Sequence, residues 1–510
     1  MAIALDTSLV VAVVGSGAMG AGIAQVAAAA GHRVKLFDTR AAAADSAIVA
    51  IRKTYGALAA KGKMSAAAAD AASGRLQSVA APGDLADAAL VVEAIVENLD
   101  AKRQLFADLE AVVADDCILA SNTSSISVTA IGASLRLPRR LVGMHFFNPV
   151  PLMGLVEIVS GLATDRDIAD IIYATAAAWG KSPVHTASTP GFIVNRVARP
   201  YYAESLRLAT EQAATPATLD AVMREAGGFR MGPFELMDLI GNDVNFAVTS
   251  SVFAAYFNDP RFTPSLLQQE LVNAGFLGRK SGRGFYQYGD NAVAPAPQTE
   301  PAYPIPQEVI LQGENSVADT LAARLSAAGL QVHRTSFQQE DGALLKCGDA
   351  TVFLTDGRSA TQRASDNALP NTVLLDLALD FSTASRIALA RADQCNDAAY
   401  EIAVGLFQAA GYAVSPLGDV PGMALMRTVA MLANEAADAV NQGVCSVQAV
   451  DTALQNGVNY PRGPLAWADS IGVANVRTVL SNLAASYGED RYRISPLIHR
   501  KVATGATFHG

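Results

Sequence analysis

LVVAVVGSGAMGAGIAQVAAAAGHRVKLFD (9–38) is the stretch on which the fold turns. Residues 9–14 form an unbroken apolar run, as in a parallel strand buried on both faces. Gly15, Gly17 and Gly20 follow in G-x-G-x-x-G spacing, a helix runs on to Gly31, and RVKLFD reads as a second strand ending in Asp38. Glycines so placed allow a tight turn and close backbone approach, and a pyrophosphate can then rest on the helix N-terminus. Asp38 stands where an acid accepts the adenosine ribose hydroxyls. It disfavours a 2′-phosphate, so the expected cofactor is NAD rather than NADP, with neighbouring Arg40 pulling the other way. On hydropathy alone 9–31 resembles a signal or spanning segment. The preceding Asp6 and the glycine cluster argue against that, and no export signal is expected.

Working outward, ALVVEAIVEN (89–98) is another buried strand, with Glu97 and Asn98 at its end and Lys102 just beyond. Ligands of doubly wound sheets gather at the carboxyl ends of strands, which makes Glu97 and Lys102 site candidates. CILAS (117–121) delivers the SNTSS turn, Ser121 to Ser125, to the same rim, where at least one hydroxyl is expected to cap a helix. GMHFFNPVPLMGLVEIV (143–159) sets two polar residues, His145 and Glu157, among residues bound for a core. Val156, Glu157 and Ile158 alternate as in a strand, so Glu157 faces away from its neighbours and needs a partner, for which an imidazole is the obvious choice. PGFIVNR (190–196) then opens a helix carrying Asn195. A base, an acid to orient it and two hydrogen-bonding groups are what oxidation of a hydroxyl requires. His145 alone would read as a satisfied core histidine; the nucleotide signature in the same domain favours catalysis.

The totals agree. A chain of 510 residues exceeds one core, and 51% hydrophobic with 17% charged residues is the composition of a globular protein. A net charge of −10 argues against a general nucleic-acid or membrane-surface role. Cys117, Cys347, Cys395 and Cys445 are far apart, form no zinc spacing and suit a reduced, cytoplasmic compartment. No metal is expected. Arg52, Lys53, Lys61 and Lys63 form a basic cluster that is either a solvated helix face or a contact for an anionic substrate handle. Residues 190–288 read as largely helical, with GPFELMDLIG a tight turn and Lys280 and Arg283 able to reach back to a ligand. A Pro/Ala-rich linker follows at 289–306.

The second half repeats the first. An offset of 231 carries Pro190-Gly191 to Pro421-Gly422, Arg196 to Arg427, Glu204 to Glu435, Asp220 to Asp451, Gly232-Pro233 to Gly463-Pro464 and Asp238 to Asp469. An offset of 298 carries Gly15 and Gly31 to Gly313 and Gly329, while Asn315 and Ala318 replace the other two glycines. The fall in offset implies a loss of 67 residues. Asn195 maps to Met426, Asp38 to Ser336, and no histidine occurs between Arg334 and Ile498. Framework is kept and chemistry is not. The expected architecture is α/β: a Rossmann-type doubly wound NAD-binding domain (1–188), an all-α domain (189–288), the linker (289–306), a degenerate Rossmann-like domain (307–416) and a second all-α domain (417–510).

These motifs together, from the three glycines through VVEAIVEN, SNTSS, HFFNP, VEIV, PGFIVNR, GPFELMDLIG and GRKSGRGFY, resemble the L-3-hydroxyacyl-CoA dehydrogenases of β-oxidation over residues 9–288. The resemblance implies that His145 is the catalytic base and Glu157 its partner, with Ser124 and Asn195 holding the substrate oxygen. It implies that Glu97, Lys102, Asn148 and Lys280 line the cofactor and active-site region. It also implies that Lys61 lies near the CoA phosphates; a neighbouring position that often holds a second lysine is Ala57 here. The appended half is similar to that of longer bacterial members, notably the 3-hydroxyadipyl-CoA dehydrogenases of phenylacetate breakdown. Short members dimerise through the helical domain, so the second helical domain is expected to take the partner's place within one chain, an internal pseudo-dimer open to further oligomerisation. Alternatives are a 3-hydroxybutyryl-CoA dehydrogenase, a dehydrogenase of a hydroxy acid without CoA on the same scaffold, and a non-catalytic NAD-binding structural protein.

Overall fold

β1 (Val10–Val14) is buried along its whole length, and its side chains divide by parity. Val11 and Val13 join one apolar layer with Ile23, Ala27, Ile48, Ile51 and Ile172; Val10, Ala12 and Val14 join another with Phe106, Leu109 and Ile131. Period-two alternation thus feeds two cores, one on each face of the sheet, as a doubly wound fold demands. The computed structural model describes residues 3–40, 42–290, 292–313, 316–335 and 342–510. Asn315 and Ser336, the replacements for Gly17 and Asp38, lie outside the described residues.

The chain forms two compact units, one of 1–196 with 439–458 and another of 197–438 with 459–510. In the first, the strands after β1 are β2 (Arg33–Phe37), β3 (Leu76–Ser78), β4 (Ala88–Glu93), β5 (Ile118–Ser121), β6 (Leu141–Phe146), β7 (Leu155–Ser160) and β8 (Ser182–Ala187). Their order across the sheet is β3-β2-β1-β4-β5-β6-β7-β8. Pairing is parallel except between β6 and β7, which are antiparallel. Helices Ala18–Ala29, Ala43–Ala60, Leu99–Glu110 and Arg166–Ala178 cover the faces. Helix Val447–Val458 packs on β7 and β8, and the Ala187 N–H donates to Val444 O at 2.8 Å. Gly457 is needed there, because a Cβ would sit 2.6 Å from Leu155 Cδ2.

The second unit carries helices Arg199–Thr210, Pro216–Glu225, Pro233–Ile240, Asn242–Ala255 and Leu266–Asn273 from the first helical repeat. GPFELMDLIG is therefore no tight turn but an eight-residue helix, Pro233–Ile240. Pro233 presets its first turn, Glu235 accepts the Gly232 N–H at 3.1 Å, and buried Asp220 accepts the Phe234 and Glu235 N–H groups at 2.9 and 3.0 Å. Its second sheet contains β9 (Glu308–Gln312), β10 (Gln331–Thr335), β11 (Leu345–Cys347), β12 (Ala350–Leu354), β13 (Thr372–Leu375), β14 (Arg386–Arg391) and β15 (Ala413–Pro416). The order is β10-β9-β11-β12-β13-β14-β15. β11 runs antiparallel to both neighbours, and β13 to β14. The offset of 231 proves longer than the sequence motifs showed: β14 is β7 displaced by that amount, and β13 and β15 begin where β6 and β8 would.

Groups of the two helical repeats meet reciprocally inside this unit: Glu204 and Glu435 correspond at the offset of 231, and Arg261 and Arg491 at 230, on the one-turn helices Pro260–Phe262 and Asp490–Tyr492. Arg261 pairs with Glu435 at 3.2 Å, and Arg491 with Glu204 at 3.8 Å. Arg427, fully buried, donates from Nε to Glu204 at 2.8 Å and from Nη1 to Glu211 at 2.9 Å.

Candidate active site

The glycine turn is built by close packing. A Cβ on Gly15, whose φ is +100°, would lie 2.4 Å from Ala94 O, and one on Gly20 would lie 1.8 Å from Gly15 O. Gly17 has nothing within 4 Å of such a Cβ, so its face of the turn is open to a ligand. At the end of β2, Asp38 accepts hydrogen bonds from Arg40, from Ser16 Oγ at 2.6 Å and from the Ser16 N–H at 2.9 Å. Foremost the Arg40 guanidinium, and with it Ser16, hold its carboxyl well below the usual carboxylate range. An open turn at a helix N-terminus with an acid beside it whose ionised form is favoured suits the diphosphate and ribose of a dinucleotide.

Under the SNTSS turn lies a network centred on Glu93, a residue that the sequence reading passed over. Glu93 is fully buried at the end of β4; its Oε1 accepts Lys102 Nζ at 2.6 Å and the Ile95 N–H at 2.7 Å, and its Oε2 accepts Ser121 Oγ at 2.6 Å. Lys102 is 1% exposed and also meets Glu97 at 3.2 Å, so its ammonium is committed to two carboxylates. Glu97 Oε1 in turn gathers Thr123 Oγ1 at 2.7 Å, the Ser124 N–H at 2.9 Å, and the N–H and Oγ of Ser125 at 3.1 and 3.0 Å. Ser124 Oγ is more loosely held, 3.4 Å away. Burial works to raise the Glu97 carboxyl, but Thr123, Lys102 and the Ser124 N–H outweigh it and leave it below its ordinary value. One carboxylate thus shapes the whole turn. Capping by a hydroxyl also occurs: Ser127 Oγ accepts the Ala130 N–H.

His145 and Glu157 stand directly opposite each other on β6 and β7, and such cross-strand neighbours share a face. Nδ1 of His145 lies 2.7 Å from Glu157 Oε2. The other oxygen, Oε1, accepts the Ile193 and Val194 N–H groups at 2.9 and 3.0 Å, at the start of the helix that carries half-buried Asn195. Glu157 is fully buried and His145 5% exposed, against the rings of Phe147 and Phe192 at 4.6 and 5.8 Å. With Nδ1 bound to a carboxylate, the proton resides there and Nε2 keeps its lone pair. The SNTSS turn is tied to the same centre by Asn122, whose Oδ1 accepts the Phe146 N–H at 2.9 Å. β5 and β6 are adjacent, so Ser124 and His145 emerge at one end of the sheet.

The remaining candidates are less gathered. Asn148 is exposed in the segment after β6, and Lys61 is exposed at the C-terminal cap of helix Ala43–Ala60. Arg52 of the basic cluster is spent on the Ser73 and Leu76 carbonyls. Lys280, in the second unit, pairs with Asp243 at 2.6 Å. Arg283 there lies over the Phe276 ring at 3.9 Å.

The second copy shows what became of the site. Displacement by 231 puts Asp376 in the place of His145 and Ala388 in that of Glu157, and the Asp376 N–H still donates to Ala388 O across the strands. Asp376 accepts the N–H groups of Ala424 and Leu425, the counterparts of Ile193 and Val194, at 3.0 and 2.7 Å. Burial pushes its carboxyl up to about 6, against the backbone donors that draw it down. The carboxylate that steadies the helix start has crossed from one strand to its neighbour, and the imidazole is gone.

Comparison with known proteins extends these observations. The model of the 3-hydroxyacyl-CoA dehydrogenase NAD binding domain matches residues 10–189, and that of the C-terminal domain matches 191–288 and again 422–507. The reduced Rossmann-fold domain of 3-hydroxybutyryl-CoA dehydrogenase matches 352–421. The 3-hydroxyadipyl-CoA dehydrogenase of Escherichia coli (strain K12) is 42% identical over 496 residues, 96% of this chain and 97% of that protein. A crystal structure of 3-hydroxybutyryl-CoA dehydrogenase from E. coli K12 superposes with a TM-score of 0.89 at 42% identity, covering 98% of this chain and 99% of that one. The mitochondrial hydroxyacyl-coenzyme A dehydrogenase of Sus scrofa is 39% identical over 284 residues, 54% of this chain and 90% of its own length.

Proposed function

The chain belongs to the 3-hydroxyacyl-CoA dehydrogenase family and is an NAD-dependent oxidoreductase of 3-hydroxyacyl-CoA, and from that premise we propose that His145 is its general base, Glu157 the acid that orients it, and 3-hydroxyadipyl-CoA its substrate. The 2.7 Å contact between His145 Nδ1 and Glu157 carries the reading. Nε2 accepts the hydroxyl proton, and the imidazolium so formed is stabilised by a carboxylate that two backbone N–H groups hold in place. Bound NAD supplies the hydride acceptor. Gly15, Gly17, Gly20 and Asp38 hold its diphosphate and adenosine ribose, and Glu97, Asn148 and Lys280 are its further contacts. Ser124 and Asn195 position the substrate oxygen. Lys102, buried between Glu93 and Glu97, acts by setting the shape of the SNTSS turn rather than by touching a ligand. Lys61, exposed and cationic, meets the CoA phosphates.

The dicarboxyl substrate is supported by the two-halved relative named for it, while a relative of the same length is named for the four-carbon one. The domain partition 1–188, 189–288, 307–416 and 417–510 around a linker at 289–306, a cytoplasmic location and an internal pseudo-dimer belong to the same proposal. For the last, the support is the reciprocity of Arg261–Glu435 and Arg491–Glu204, in which each repeat offers the same groups to the other, as across a two-fold axis. Turnover of 3-hydroxybutyryl-, 3-hydroxyhexanoyl- and 3-hydroxyadipyl-CoA should be compared in the wild type and in His145→Gln. The wild type is expected to favour the dicarboxyl substrate, and the variant to lose about 10²–10⁴-fold in kcat while still binding NADH. Near-normal turnover by the variant would remove His145 from its role, and preference for the four-carbon substrate would remove the dicarboxyl assignment.

A further inference from the structure

Buried arginines in the second unit come with carboxylates. Arg427 meets Glu204 and Glu211, Arg261 meets Glu435 and Asp438, Arg386 meets Glu225, Arg363 meets Asp356, and Arg491 lies 3.8 Å from Glu204 and Glu489. Arg199, at the start of helix Arg199–Thr210, is the exception among the described residues. It is 5% exposed, donates from Nη1 to Thr249 Oγ1 at 3.1 Å and lies 4.9 Å over the Tyr202 ring, with no carboxylate at ion-pair distance. Its Nε is buried without a hydrogen-bond acceptor. Thr249 gives its own proton to Asn245 O, so it offers the guanidinium only a neutral lone pair. Guanidinium does not shed its proton in proteins, and an uncompensated buried charge is costly enough to call for an anion.

This side chain lines a cavity of about 600 Å³. Tyr202, Leu206, Pro264, Leu266 and Leu267 give most of its apolar surface, Thr210, Thr249, Thr263, Ser265, Gln268 and Glu270 add polar groups, and Arg207 and Arg491 also reach it. The volume falls in the range of small-molecule sites, and a largely apolar wall with a few placed polar groups is their usual make-up. Arg207 is already held by Glu489 and Tyr492. One uncommitted cation, in a lining that also carries the Glu270 carboxylate, does not suit a phosphate, whose several negative charges call for more than one cation. It suits a single carboxylate on an aliphatic chain.

We propose that the Arg199 cavity is a binding site for an aliphatic monocarboxylate, with the carboxylate on the guanidinium and the chain against Leu206 and Leu266. Its residues all belong to the helical part of the second unit, and none is a residue of the His145–Glu157 centre. Titration calorimetry on the full-length protein tests it, with octanoate as probe, 1-octanol as the neutral counterpart and inorganic phosphate as the bare anion. The titrations are run with NAD and acetoacetyl-CoA saturating, so that the acyl-CoA site cannot report. Octanoate should bind once per chain and more tightly than octanol, and phosphate should not compete. Arg199→Met should weaken octanoate at least tenfold and leave octanol unchanged. Ala203→Leu, which fills part of the cavity and keeps the guanidinium, should weaken both, so the site remains testable if Arg199→Met does not fold. Octanoate binding that is absent at millimolar concentration, equal to that of octanol, or untouched by both substitutions would overturn the proposal.

Discussion

At the scale of single residues, Glu157 shows how two oxygens can be given two tasks. Oε1 is taken by the Ile193 and Val194 N–H groups and Oε2 by His145. A glutamine there must keep its carbonyl oxygen on the backbone donors, which turns its NH₂ toward His145 Nδ1. The imidazole would then carry its proton on Nε2, the wrong tautomer for a base. Glu157→Gln should therefore keep the fold and the affinity for NADH while kcat drops by about 10²–10⁴-fold. Stopped-flow turnover with acetoacetyl-CoA, beside a fluorescence titration of NADH, checks this. A kcat within a few-fold of wild type would mean that the pair is structural.

At the scale of elements, the turn after β5 is shaped by a residue on the loop after β4. Glu97 receives donors from Thr123, Ser124 and Ser125 together, and its carboxyl is held below the ordinary value of about 4.3. The sign follows from linkage: with the folded value depressed, the unfolded chain binds the proton first. The stability that Glu97 contributes is complete above the unfolded value and is lost as pH falls through the folded one. Denaturant midpoints measured from pH 7 down to pH 3 should fall less steeply in Glu97→Gln than in the wild type, and KM for NAD should rise because the SNTSS turn is less well held. Parallel acid limbs for the two proteins would show that the clamp adds nothing. Helix Pro233–Ile240 carries the opposite lesson. The framing glycines and Pro233 suggested a turn, yet the same proline starts a helix, and which outcome holds depends on Asp220, thirteen residues earlier, receiving its first N–H groups.

At the scale of the whole molecule, the two helical repeats are joined by ion pairs. Arg427 is fully buried and shared between Glu204 and Glu211, with Tyr487 and Tyr492 hydroxyls accepting from the same guanidinium. Removing one member strands a buried carboxylate, so Arg427→Met should cost about 3–5 kcal/mol by denaturant unfolding. Adding Glu204→Gln should recover part of that loss, and a fully additive double variant would mean the two side chains do not interact. Deleting residues 307–510 should expose the apolar surface of the first helical repeat and give a dimer of the truncated chain or an aggregate. The covalent link in the intact chain holds the second repeat at an effective concentration of about the millimolar range. A soluble, active, monomeric 1–306 fragment, by sizing and native mass measurement, would refute the pseudo-dimer.

The amino-acid sequence by itself determined the strand–turn–helix of 9–38, because an apolar run, glycine spacing and a closing acid are local signals that need no partner. It also determined that His145 and Glu157 needed each other, since alternation along a strand leaves a lone buried carboxylate facing a lone imidazole. The duplication was legible from Pro190 onward as one constant offset, since proline, glycine and charged framework residues survive when packing is kept. Only the tertiary structure decided the rest. That Lys102 is buried and paired with both Glu93 and Glu97 could not be read from its place after a strand end. Asp376 became recognisable as the heir of His145 only when β13 and β14 were seen to repeat β6 and β7. Arg199 was one arginine among many until burial left it without a carboxylate. In each case the cause is the same: what a charged side chain does depends on which distant groups the folded chain brings within about 3 Å of it, and no local pattern encodes that distance.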